Sequence, residues 1–209
     1  MNTAVTSSPN EKYAALDHLI VEVPDLASGI NAFEKLTGVT PQRGGVHPGR
    51  GTQNALVSLG DDHYLELLAP ITPGKDSPRP LNLRVTSWAI HTHSLSTLIS
   101  DLRSRGFDPV AMKPGSRRTE DNRMLEWKTS GLAEELELAP FLIEWSESSP
   151  HPSTTSPSGC RLFSIEVVSP HAAKLAEYLN AVGYRGMVSK GSTAGMKVQL
   201  DCPHGRVSL

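Results

Sequence analysis

Three residues stand where they could bind a metal ion or move a proton: His18 in DHLIVEV, Glu66 in YLELLAP and Glu144 in PFLIEW. Both glutamates are flanked on each side by apolar residues. An ionised carboxylate in such a run is costly to bury alone, so it must be solvated, paired or metal-bound. Imidazole suits Zn, Fe and Ni, and carboxylate suits Mg and Mn, so the three together could hold a divalent ion. The competing reading is the solvated face of a half-exposed sheet, where charged side chains are usually found. A second group lies around HPGRG, His47 to Gly51, with Arg43 just upstream. A guanidinium fork matches the oxygens of a substrate carboxylate or carbonyl, so Arg43 and Arg50, with His47, are candidate substrate contacts. An ordinary hairpin turn carrying solvated charge is the alternative, and Arg117-Arg118 in PGSRRTEDN reads as such a turn.

Other chemistries find no support. GRG is too short for a dinucleotide fingerprint and no helix follows it. There is no Gly-x-Ser-x-Gly elbow, and neither Cys160 nor Cys202 has a plausible base beside it in the sequence. Trp88, Trp127 and Trp145 fall at strand positions and read as core.

The elements that position these residues recur. DHLIVEV alternates as a strand, and DLASGINAFEKLTG is spaced as a helix capped by Asp25 and ended by Gly38. Strands are expected at 39–42, 53–59 and 63–68, completing a β-α-β-β-β unit. A second unit starts at TSWAIHTHSL, with a helix at 95–104 and strands at 108–112, 123–129 and 141–145. A third starts at RLFSIEVVSP, with the helix HAAKLAEYLNAVG and strands at 186–189, 196–201 and 206–209. Gly38 follows His18 by 20 residues, Gly106 follows Ser87 by 19 and Gly183 follows Phe163 by 20, so the spacing repeats three times. SESSPHPSTTSPS has linker composition. The expected division is a disordered leader at 1–13, paired modules at 14–71 and 84–146, a Ser/Pro linker at 147–158 and a smaller third module at 159–209.

Strand parity then assigns faces. Leu19/Val21, Leu65/Leu67, Trp88/Ile90 and Phe141/Ile143 should cover the helices. The concave face should carry His18, Asn54, Tyr64, Glu66, His91 and Glu144, which adds Asn54 and Tyr64 as candidate substrate contacts. The bulk properties are those of a cytoplasmic globular protein. In 209 residues, 20 Lys and Arg oppose 22 Asp and Glu, which gives no electrostatic case for nucleic acid or an anionic membrane. No apolar run reaches the ~18 residues of a spanning helix. The first residues lack the basic and apolar regions of a secretory signal, and two cysteines do not make a disulfide framework. A third module with uncovered sheet edges would favour a homodimer.

LDHLIVEVPDL, HPGRGTQNALVSLGDDHYLELLAP, SWAIHTH and PFLIEW, over residues 16–146, resemble the vicinal oxygen chelate superfamily (glyoxalase, bleomycin-resistance and dioxygenase proteins), and within it the glyoxalase-like domain subgroup. The resemblance implies an α+β fold in which tandem βαβββ modules form an incomplete barrel around one divalent ion (Zn, Ni, Mn, Mg or Fe). By position its ligands would be His18, Glu66 and Glu144. Ser87, at the fourth position, is not a good ligand and would leave the ion an open side. His91 or a carboxylate such as Glu144 would act as the base. That chemistry is isomerisation, epimerisation or lyase reaction of a small oxygenated metabolite through a metal-chelated enolate. The superfamily also contains sequestering proteins that hold a ligand without turnover, and this alternative stays open. In the third module the matching positions are Phe163 and Ser208, which make no site.

Overall fold

The computed structural model describes residues 14–47, 49–72, 81–119, 122–133 and 136–209. The leader expected at 1–13 lies outside these residues. The first module comprises β1 (Ala15–Glu22), α1 (Leu26–Thr37), β2 (Gln42–His47), β3 (Thr52–Gly60) and β4 (His63–Pro70). The second comprises β5 (Ser87–His91), α2 (Leu95–Ser104), β6 (Lys113–Arg118), β7 (Met124–Ser130) and β8 (Phe141–Trp145). A short helix, α3 (Pro152–Thr155), precedes the third module: β9 (Arg161–Ser169), α4 (Ala172–Val182), β10 (Met187–Lys190), β11 (Gly195–Cys202) and β12 (Gly205–Ser208).

The first eight strands form a ring in the order β1-β4-β3-β2-β6-β7-β8-β5. Within each module the first and last strands are parallel. The modules join through the antiparallel pair β1–β5. The other joint is thin: β2 meets β6 through Val46 and Arg118 alone. The paired βαβββ arrangement is the expected one, and this single pair closes the ring that was expected to stay incomplete. β9–β12 form a separate sheet in the order β10-β9-β11-β12. Its helix docks on the barrel, where Tyr178 donates to the Pro140 carbonyl at 3.1 Å and Tyr184 meets Trp88 edge to face. Leu175, Tyr178, Val198 and Leu200 belong to the same apolar core as Leu19, Leu65 and Trp88.

Local chemistry explains the element boundaries. Asp25 accepts the Ser28 N–H at 2.7 Å to start α1, and Gly38, at φ 81°, ends it. The strand expected at 39–42 begins only at Gln42. Thr37 Oγ1 accepts the Val39 N–H and so wraps the chain around the helix end, and Val39 is buried in the core. The strand expected at 108–112 lies instead at Lys113–Arg118, and the expected stretch contributes only the bridge between Pro109 and Leu132. β6 was hidden by its composition, KPGSRR. Gly115 is required there, because a β-carbon would collide with the Trp127 indole. The expected linker is not free chain: it holds α3, and His151, just before α3, packs against the barrel. No helix among the described residues is long and apolar enough to cross a membrane.

Candidate active site

A cavity of about 120 Å³ opens inside the barrel. That is room for a small metabolite, below the ~300–1,000 Å³ of a drug-sized pocket. His18 and Ile20 of β1, Thr52 and Asn54 of β3, and Tyr64, Glu66 and Leu68 of β4 form one wall. Trp127, Thr129, Phe141, Ile143 and Trp145 face them from the second module, and His47, Arg50 and Arg117 complete the lining.

The floor is built by a bulge. β1 changes register against β5 between Leu16 and His18, so Asp17 is the extra residue. A bulge re-aims side chains, and here Asp17 and His18 both serve the interior. Asp17 is completely buried. Its carboxylate accepts from His18 Nδ1 at 2.6 Å, Trp145 Nε1 at 2.9 Å and His151 Nε2 at 3.2 Å. Burial alone would raise its pKa, but the hydrogen bonds and charges of His151 and His18 outweigh it and hold the carboxyl well below the usual carboxylate range. An ionised Asp17 makes Nδ1 of His18 a hydrogen-bond donor and turns Nε2 towards the cavity. The ring is clamped between Tyr64, stacked at 4.6 Å, and the Phe141 edge at 5.5 Å.

Nε2 of His18 lies 3.7 Å from Glu66 Oε2. The other Glu66 oxygen accepts the Asn54 amide N–H at 2.6 Å. Asn54 Nδ2 also lies 3.4 Å from His47 Nε2, which makes that nitrogen the acceptor, and His47 Nδ1 then donates to Thr52 Oγ1 at 3.0 Å. Burial keeps the His47 pKa below the ordinary histidine value; the Glu66 charge opposes this, and Arg117 and Arg50 reinforce it. Tyr64 is pushed well above the normal phenol value by burial first and by the Asp17 and Glu66 charges next, so it stays neutral. Arg117 is only 4% exposed, and its Nη1 has no hydrogen-bond partner. Burial lowers its pKa, and Tyr64 and Glu66 oppose the shift.

The structure thus brings together His18, His47, Arg50, Asn54, Tyr64 and Glu66. Arg43 lines a different cavity. Glu144 is a correction. In β8 it is Phe141, Ile143 and Trp145 that face the cavity, while Leu142 is in the outer core. Glu144 points away, accepts the Leu95 N–H at 2.6 Å at the start of α2, and sits 3.7 Å from Lys128 Nζ. It is neither metal ligand nor base in this geometry. A register offset of one residue moves a whole strand face to the other side. The parity reading failed because the barrel interior is itself apolar along β8. Ser87, opposite Ile20 in the β1–β5 ladder, does not line the cavity. His91 is also misplaced: it is half-buried beside His93 at 4.8 Å and His151 at 6.4 Å, outside the cavity lining. Sequence reasoning missed Asp17, Arg117, Trp145 and His151. For Arg117 the signal available was its two-residue spacing from Gly115 on one strand.

The expected divalent ion does not fit this donor set. Of the expected positions only His18 and Glu66 face the cavity, and the second module offers Phe141 and Ile143 opposite them. The His47 Nε2 lone pair is engaged by Asn54. Among the described residues no three His, Cys, Asp or Glu side chains are placed to hold a metal ion.

Known proteins place this architecture. No curated protein matches the sequence. A hypothetical protein from Staphylococcus aureus superposes with a TM-score of 0.67 at 14% identity, over 87% of this chain and 88% of that one. Methylmalonyl-CoA epimerase from Mycobacterium tuberculosis gives 0.48 at 19% identity, over 68% and 94%. Hypothetical protein BH1468 from Bacillus halodurans C-125 gives 0.49 at 17%, over 66% and 98%. Residues 16–183, which span both barrel modules and run to the end of α4, match the glyoxalase-like domain family. This chain belongs to that family, within the vicinal oxygen chelate superfamily.

Proposed function

We propose that the protein is an acid–base enzyme of isomerase or epimerase type, acting at a carbon next to a carbonyl in a small oxygenated metabolite. The observation that carries this reading is the buried Asp17–His18 pair, which aims Nε2 at Glu66 inside a cavity. In the reaction the C–H bond breaks and its proton passes to His18 Nε2. The electron pair moves onto the carbonyl oxygen as an enolate. Asp17 stabilises the imidazolium that forms, and the guanidinium of Arg117, on the cavity wall, brings positive charge towards a developing oxyanion. The proton then returns, from His18 or through Glu66, to the neighbouring atom in isomerisation or to the other face of the same carbon in epimerisation. A positioned base contributes about 10²–10⁴-fold, and one oxyanion donor about 10²–10³-fold. No step passes through a metal ion, because the donors for one are not assembled.

The test needs no knowledge of the natural substrate. Small 2-oxo acids and hydroxy ketones in D₂O, followed by proton NMR, should lose their carbon-bound α-protons with the enzyme present. His18→Gln should slow this exchange by about 10²-fold or more, while dialysis against EDTA should leave it unchanged. Tight ligand binding with no exchange would instead mark a sequestering protein. Loss of exchange on chelation would restore the metal.

A further inference from the structure

Two buried side-chain atoms among the described residues have no hydrogen-bond partner: Arg117 Nη1, a donor, and Asn54 Oδ1, an acceptor. They abut the same point, since a β-carbon on Gly44 would collide with both. Gly44 sits where β2 shifts register against β3, between Arg43 and Gly45, and its missing side chain lets both atoms pack against the backbone there. A buried donor and acceptor left unpaired carry a desolvation penalty that a ligand presenting the complementary groups would relieve. Arg117 is also shared by two cavities. Behind it lies a second one of about 260 Å³, lined by Arg43 and Arg123 as well as Gly44. No Asp or Glu lines this second cavity among the described residues.

From this geometry we infer that the second cavity is an oxyanion subsite. The substrate of the reaction proposed above then carries a carboxylate or phosphate there. Arg117 and Arg43 donate to the oxyanion. The guanidinium forks suit either anion. The inference rests on the acid–base reading for what the substrate does, but not for whether the anion binds. His18→Gln should therefore slow proton exchange by about 10²-fold or more and leave anion binding intact, so failure of one reading is distinguishable from failure of the other.

Calorimetric titration of inorganic phosphate, malonate and neutral malonamide into the full chain, R43Q and R117Q tests the subsite. At least one anion should bind, and malonamide should not. R117Q should weaken anion binding about tenfold or more, the loss of a charge-assisted bond to a buried donor. R43Q removes an exposed charge and should weaken it about two- to fivefold. Phosphate binding without malonate points to a phosphorylated substrate, and the reverse to a carboxylic acid. If R117Q does not fold, R43Q decides, because its side chain is exposed. Binding of neither anion, or affinities unchanged by the substitutions, would overturn the inference.

Discussion

Asp17 and His47 show how burial and partners set charge at single residues. Asp17 is fully buried yet ionised, because the hydrogen bonds and charges of His151 and His18 outweigh the burial and hold its pKa down. His47 has its pKa lowered by burial first, against the pull of Glu66. In both cases the folded state prefers the deprotonated form, so the unfolded chain takes up protons first and stability falls with pH. The His47 share is complete above its unfolded value of about 6.5 and fades as pH drops towards its lower folded value. The Asp17 share is complete above about pH 4 and goes only in stronger acid. Urea midpoints should therefore fall between pH 7 and pH 5. His47→Gln should flatten that step in part, with His91, also lowered by burial, supplying the rest. The further loss below pH 4 should be the same in both proteins. Equal slopes between pH 7 and pH 5 would mean that His47 is not held neutral.

At the scale of elements, Glu144 changes its meaning. Ser94 precedes α2 without a side-chain cap, and Glu144 reaches over from β8 to accept the Leu95 N–H. A carboxylate at a helix N-terminus satisfies an orphan donor and complements the dipole, and removing such a cap costs about 1 kcal/mol. Glu144→Ala should lower the melting temperature by about 2–4 °C with no change in proton exchange; a large loss of exchange would return Glu144 to the chemistry. The helices and most strands were legible because caps, glycines and apolar spacing are local. His18, Asn54, Tyr64 and Glu66 were legible for the same reason, since β1, β3 and β4 alternate plainly. β8 was not, since apolar side chains point both into the barrel and towards the helices. β2 and β6 were obscured because their glycines make room for Arg117 and Trp127, which is a demand of the closed ring and not of either strand. Asp17 enters the site through a bulge, and no residue type in DHLIVEV announces one.

Across the whole molecule, the apolar core runs without interruption from the barrel into the third module, and His151, between them, reaches back to Asp17. The barrel wall itself is uneven. Seven of its joints are ladders of several residue pairs, and the eighth is Val46 with Arg118. Local opening takes place where the fewest interactions must be broken. Amide exchange at Val46 and Arg118 should accordingly be the fastest among the strand interiors of the ring, and protection there equal to that of β3 or β4 would contradict it. His47 and Arg117, which line the cavity, are the immediate neighbours of that pair. The ring is a hoop with a clasp, and the clasp is set beside two of the side chains that line the cavity. Loss of that one pair would loosen the wall beside His47 and Arg117 while the β1–β4 and β1–β5 ladders hold Asp17 and His18 in place.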